Sequence, residues 1–329
     1  MKKGFLLFLL MGTLSLVLAA CGGGTSSNDE GSSDNGEGGE GGDTEFVQIL
    51  TGGTQGTYYP LGGAFANILT SEIDNLEANA TSTGASVENM KSMRDGDGQL
   101  AFTQTDIASY AKNGEVMFDE KIENLQAIGT LYPETIQIVT TADTGIESVE
   151  DLEGKVVSVG AVGSGTHANA ENILDIHGLS IEDDIEARDL AFDDSTSGIQ
   201  DGTIDAAFIT SGTPTGAVES LAATSDVNIV PVKEDKVKEL IDEYGYYAQD
   251  EIPEGTYGLE KAVSTVAVQA MLVTDSNLSE DLVYNMTKAI FENTDQVQHA
   301  KGEQITAESA QEGVGIDLHP GAKKYFDEQ

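Results

Sequence analysis

As a string of apolar and polar positions, the 329-residue chain divides into three stretches. Phe5–Leu18 is apolar apart from Gly12, Thr13 and Ser15. Gly22–Thr44 holds only Gly, Ser, Thr, Asn, Asp and Glu. From Phe46 onward, β-rich runs alternate with segments of helical period. Phe46–Leu50, Gln99–Thr103, Thr135–Thr141, Lys155–Val159, Ile204–Thr210 and Val263–Thr274 read as strands. Pro60–Ser71, Gly84–Arg94, Ser164–His177 and Ser279–Asn293 read as helices, with Pro60 in a first turn where its missing N–H costs nothing. The mixed-charge run Lys233–Asp242 reads as a solvated helix face. The alternation predicts an α/β fold with largely parallel sheets.

The first stretch follows Lys2 and Lys3, the charge-then-apolar order of an export signal, and is too short for a comfortable membrane span. It runs into Leu18-Ala19-Ala20-Cys21-Gly22, which resembles a bacterial lipoprotein signal with Cys21 as the lipidated residue. Residues 1–20 are then a signal peptide. Residues 21–45 are the lipidated cysteine and an acidic tether with nothing to bury, reaching roughly 25 Å as a coil.

Charge narrows the partners. Fifty-seven acidic against 16 basic residues give a net charge of −41, which disfavours nucleic acid. Anionic headgroups repel such a body, so membrane attachment is expected through the lipid alone. With 39% apolar residues the body can bury a core. One Cys excludes disulfides and thiolate zinc sites, four scattered His disfavour a histidine metal site, and no cofactor motif is complete. Asp183-Asp184 and Asp193-Asp194 are neighbours expected by chance in so acidic a chain.

Two Gly/Ser/Thr-rich turns carry the candidate chemistry. Each stands between a strand and a helix: Thr51–Pro60 after Phe46–Leu50, and Gly160–Thr166 after Lys155–Val159. A helix start there offers free N–H groups and a partial positive charge to an anion, glycine permits close approach, and hydroxyls add donors. The second turn has the spacing of a phosphate-binding loop without its lysine, and spells G-x-x-G-x-G rather than the dinucleotide fingerprint, so a nucleotide is disfavoured. With only Arg94 and Arg188 in the chain, a small carboxylate gripped by amides and hydroxyls is the better match. Tight turns without a ligand remain the plain alternative.

The candidate ligand-binding residues are therefore Thr54, Gly56, Thr57 and Tyr58 on the first turn and Ser164, Gly165 and Thr166 on the second. Gln104, between a strand and a helix, can read a polar group in either sense. Thr210 and Pro214 stand at the end of another strand. Asp106 reads as a helix cap, His167 as a polar helix residue and His319 as part of a turn. No nucleophile elbow surrounds Ser164.

Five segments, in order, resemble the TAXI family, the substrate receptors of one class of TRAP transporters. They are Thr51-Gly52-Gly53-Thr54-Gln55-Gly56-Thr57-Tyr58-Tyr59-Pro60-Leu61-Gly62, Gln104-Thr105-Asp106, Asp151–Gly160 running into Gly163-Ser164-Gly165-Thr166, Asp201–Phe208, and His319-Pro320-Gly321-Ala322. Thr105 stands where relatives carry Ser, and Gln137 where they often carry His. The resemblance adds Thr105 to the candidate site. It implies a two-lobed, periplasmic-binding-protein-like (type II-like) fold with hinge strands and a central cleft. Residues 46–142 with 263–329 would form lobe I, and 143–262 lobe II. It also implies an integral-membrane TRAP permease as partner. The expectation is a non-enzymatic, lipid-anchored extracytoplasmic receptor for a small carboxylate, a glutamate-like amino acid or a dicarboxylate. The alternatives are a secreted serine hydrolase using Ser164, and a sensor lipoprotein signalling to a membrane kinase.

Overall fold

The computed structural model describes residues 44–329. The export signal, Cys21 and nearly all of the tether lie outside the described residues. Among the described residues no helix is long and apolar enough to cross a membrane.

Strand β1 (Glu45–Leu50) leads into helix α1 (Tyr58–Glu72), β2 (Leu76–Thr81), α2 (Ser86–Asp95), β3 (Leu100–Gln104) and α3 (Thr105–Asn113). A 17-residue strand, β4 (Leu125–Thr141), follows. Then come β5 (Val156–Ser158), α4 (Gly165–Ile176), β6 (Glu186–Arg188), α5 (Phe192–Gln200), β7 (Ala206–Ser211), α6 (Gly216–Ala222), β8 (Val227–Val230), α7 (Glu234–Tyr244) and β9 (Ala248–Ile252). The 13-residue β10 (Val263–Asp275) precedes α8 (Glu280–Glu292) and α9 (Pro320–Asp327). Helix α1 forms because Leu61, Phe65, Ile68 and Leu69 recur on one face and are buried. Its start is Tyr58 rather than Pro60.

The strand order is β2-β1-β3-β10-β4-β7-β5-β6, with β8 on β4 and β9 on β10. The sheet is mixed, not largely parallel. The pairs β1–β2, β1–β3, β5–β6 and β5–β7 are parallel, whereas β10 runs antiparallel to β3, β4 and β9, and β4 antiparallel to β7 and β8. Composition cannot reveal that two long strands return against their neighbours. Val263–Thr274 reads the same in either direction, and only the first half of β4 was hidden by its polar and proline residues.

Those two strands tie the molecule together. One apolar cluster takes Val47, Phe65, Phe102, Ile128 and Tyr132 with Ala270, Leu272 and Phe326. Another takes Ile136, Ile138, Val157, Leu174 and Phe208 with Val266 and Val268. Along β4 the change from one cluster to the other falls between Tyr132 and Ile136, and along β10 between Val268 and Ala270. The β4–β10 ladder breaks register at the same place, between Gln269 and Met271, as a bulge does when it bends a strand. Pro133 stands opposite Gln269 there and has no N–H for the ladder.

Phe65 is fully buried against Phe102, ring centroids 5.6 Å apart, whereas Phe46 is 64% exposed. Phe65→Ala should cost about 3–5 kcal/mol of unfolding free energy, and Phe46→Ala about 0.5 kcal/mol or less. Urea unfolding followed by circular dichroism measures both.

Candidate functional site

At this crossing lies a cavity of about 80 Å³. A single water needs roughly 10–15 Å³ on this measure, so the cavity suits a compact metabolite. The first residues of four helices reach its wall: Tyr58 of α1, Ser86 of α2, Gly165 of α4 and Phe192 of α5. First-turn amides have no partner inside their own helix, and the helix dipoles add positive potential. No Lys or Arg lines the wall, and Glu134 is its only acidic side chain.

Of the candidate residues, Gly56, Thr57, Tyr58, Gln104, Ser164, Gly165, Thr166 and Thr210 line this cavity together. Thr54, Thr105 and Pro214 do not. Thr54 is exposed on the first turn, and Thr105 is buried at the start of α3. Pro214 stands between β7 and α6, away from the wall. Three lining residues hold a buried polar atom without a hydrogen-bond partner in the protein: Gln104 Oε1, Ser164 Oγ and Thr210 Oγ1. Such atoms cost about 1–3 kcal/mol each unless something bonds them.

The other candidates are already engaged. Thr57 Oγ1 meets Ser211 Oγ at 2.9 Å and accepts the Gly212 N–H at 3.1 Å, so it joins the first turn to the end of β7. Tyr58 packs its ring against Phe102 and donates its hydroxyl to Glu134 Oε2 at 2.7 Å. The second turn is latched from across the cavity, where Gly163 O accepts the N–H groups of Val87 and Glu88 at 2.9 and 3.0 Å. Gly160 holds that turn at φ +93°, where a side chain would be strained. A Cβ on Gly165 would overlap the Gln104 side chain.

Gln104 is oriented by a buried network. Asn169 donates to Asp106 Oδ2 and to Tyr247 Oη, each at 3.1 Å, so its carbonyl oxygen faces Gln104 and accepts Nε2–H at 3.1 Å. That leaves Gln104 Oε1, lying against Gly165, as the free group. Asp106 is a network member more than a cap. Its Oδ1 accepts the Ile107 N–H at 2.9 Å, and burial first of all raises its pKa to about 6.

Sequence reasoning missed Glu134. It sits on β4 at the change of clusters, fully out of solvent, with Tyr132 donating to Oε1 at 3.3 Å as Tyr58 donates to Oε2. Burial is the main cause of a rise in its pKa to about 8, which the two tyrosine hydroxyls and the Gln104 amide moderate and Asp106 reinforces. The sequence marked it in two ways, as a lone acidic residue in apolar surroundings and as the Glu of the Tyr132-Pro133-Glu134-Thr135-Ile136 stretch that precedes Gln137, and neither was read as a site. Phe192, Ala85 and Ser86 were also missed: the α5 start has no Gly/Ser/Thr-rich turn, whereas Thr81-Ser82-Thr83-Gly84-Ala85-Ser86 before α2 is such a turn and was passed over. Ala85 is held at φ +76° beside the cavity, a strain of the kind stored at functional sites.

Ser164 Oγ bonds no histidine, and His167, partly exposed, turns its ring to Asp189 at 3.2 Å. His319 caps α9, accepting the Gly321 N–H at 3.1 Å. Among the described residues no three His, Cys, Asp or Glu side chains form a metal-sized group.

This fold, a mixed sheet with helices aimed at a central cavity, is that of solute-binding proteins. The chain is similar to the alkanesulfonate-binding protein SsuA from Xanthomonas axonopodis pv. citri bound to MOPS, at 13% identity and a TM-score of 0.53 over 88% of this chain and 85% of that one. It is also similar to PhnD1 from Prochlorococcus marinus (MIT 9301) in complex with methylphosphonate, at 12% identity and a TM-score of 0.53 over 80% of this chain and 89% of that one. The chain belongs to the NMT1-like family, whose model matches residues 49–329.

Glu134 has a pKa of about 8 when folded and an ordinary value of 4.5 when unfolded. The folded state therefore keeps a proton that the unfolded state releases. Its contribution is fully present below pH 4.5 and is lost as pH rises towards 8. Glu134→Gln removes the titration. Its stability relative to the parent should swing in its favour by a few kcal/mol across that window, as read by urea unfolding at a series of pH values. A pH-independent difference would mean that the carboxyl is not held protonated.

Proposed function

We propose that the chain is a lipid-anchored extracytoplasmic receptor that captures a small carboxylate and delivers it to a TRAP permease, without catalysing a reaction. One observation carries the reading: a metabolite-sized cavity walled by four helix starts and three residues with unsatisfied buried polar atoms, with no Lys or Arg in the wall. A carboxylate end would be held by the α4 amides and the hydroxyls of Ser164 and Thr210. Charge-assisted bonds of about 1.5–3 kcal/mol each offset the several kcal/mol that desolvating the anion costs.

In this reading residues 46–142 with 263–329 form lobe I and residues 143–262 form lobe II, with β4 and β10 as hinge strands. The Thr57–Ser211 and Gly163–Val87 contacts are the seams that part to admit the ligand, as in hinge closure generally. The order of TAXI-like segments supports the transporter class. The Leu18–Cys21 sequence supports anchoring at Cys21 on the outer face of the membrane. The bound proteins named above carry a sulfonate and a phosphonate, which are anions held in the same fold. A hydrolase based on Ser164 would need a base that nothing in hydrogen-bond contact with its hydroxyl supplies.

Titration calorimetry with a panel of amino acids and dicarboxylates tests this. The expected result is a one-to-one complex without turnover, weakened about tenfold or more by Ser164→Ala or Thr210→Ala and abolished by Gly165→Ala. Turnover lost in Ser164→Ala would replace the receptor with the hydrolase. Growth of the parent cell on the bound solute, lost when a neighbouring permease gene is removed, would separate a receptor from a sensor.

A further inference from the structure

The cavity wall is not uniformly suited to an anion. Four helix starts and two free hydroxyls line it, yet its one acidic side chain is a carboxyl. An ionised carboxylate out of water and without a cation is costly. The groups facing Glu134 do not supply one. Tyr58 on α1 and Tyr132 on β4 donate hydroxyls to it. Asp106 on α3 adds negative charge, whereas the neutral Gln104 amide favours the ionised form without supplying a cation. Lys301, buried just before the turn at Gly302–Gln304, feels Glu134 only at longer range and directs Nζ to Gln304 Oε1 at 3.5 Å.

We propose that Glu134 is the ammonium-recognising group of the cavity: the ligand is a zwitterionic amino acid, and its ammonium takes the place of the Glu134 proton, which passes to solvent as the complex forms. The inference rests on the receptor reading and sharpens it, because a dicarboxylate lacking an amine would leave the carboxyl protonated. The balance is simple. The Glu134 carboxylic acid and a ligand ammonium become a carboxylate–ammonium pair plus one free proton. No other bond forms or breaks. The ligand carboxylate turns toward the start of α4, against which Gln104 lies, and Gln104 Oε1 is the second acceptor free to take an N–H. The pair forms between partners that both leave water, so it discriminates strongly against ligands that cannot complete it.

The pKa of Glu134, raised to about 8 chiefly by burial, fixes the direction of the pH effect. The free site is mostly protonated at neutral pH, so binding becomes tighter as pH rises and levels off once the free site has lost its proton.

The test uses the mature protein with two matched pairs of probes: L-glutamate against glutarate, and L-alanine against propionate. Calorimetry in buffers of different ionisation enthalpy counts the protons. We expect an amino acid to bind with release of close to one proton at neutral pH. Its affinity should rise about tenfold from about pH 7 to about pH 9, and its deaminated partner should bind about tenfold or more weakly. Glu134→Gln should abolish the proton release, flatten the pH profile, and cut amino-acid affinity about 10- to 100-fold while sparing the deaminated acid. A deaminated acid bound as tightly as its amino acid, with no proton released, overturns this inference and leaves the receptor standing. Binding of none of the probes removes the receptor reading and the inference together. Proton counting on the parent protein decides the matter even if Glu134→Gln does not fold.

Discussion

The antiparallel pairing of β4 with β10 is the constraint on which everything else depends. On one face each strand passes from one apolar cluster to the other, and one of the two register breaks in the ladder between them falls where the clusters change. A sheet bent at that point leaves the ends of its parallel strands facing one another across a gap. The helices that follow β1, β5 and the segment before α5 then start at the gap, with their free amides turned into it. The cavity is thus a consequence of strand geometry. Its positive character comes from backbone, not from side chains.

That origin explains the chemistry of the wall. A chain with a net charge of −41 and two arginines has few cations to spare for a site. Helix starts and hydroxyls supply directed donors without adding a charge that must be neutralised when the site is empty. Glu134, placed on the bent strand, is the opposite case: a single acid whose state depends on what shares the cavity with it. Donors and an acid thus share one wall, with Thr210 paired to Ile136 two residues along β4 from Glu134. A ligand carrying an anion and a cation on neighbouring atoms matches that wall.

Much of this was legible in the sequence. The two glycine-rich turns announced themselves by composition, and most of the residues singled out on them, together with Gln104 and Thr210, line one cavity. The α/β class and nearly all the long elements followed from periodicity. Strand direction did not, since a buried run such as Val263–Thr274 carries no mark of whether its neighbour is parallel. Glu134 did not either, because its importance comes from what folds over it: Tyr58 lies 76 positions away in sequence. Thr54 and Pro214 belong to the right turns but face away from the cavity, and Thr105 is buried beneath its wall. A motif fixes where a turn goes, but not which of its side chains point inward.

The most direct measurement is a crystal structure of the mature protein with its co-purified or soaked metabolite. The account predicts one small molecule between the α4 start and Glu134, its carboxylate within hydrogen-bond distance of Ser164 or Thr210. A cavity holding only water while the metabolite sits elsewhere on the protein would contradict it.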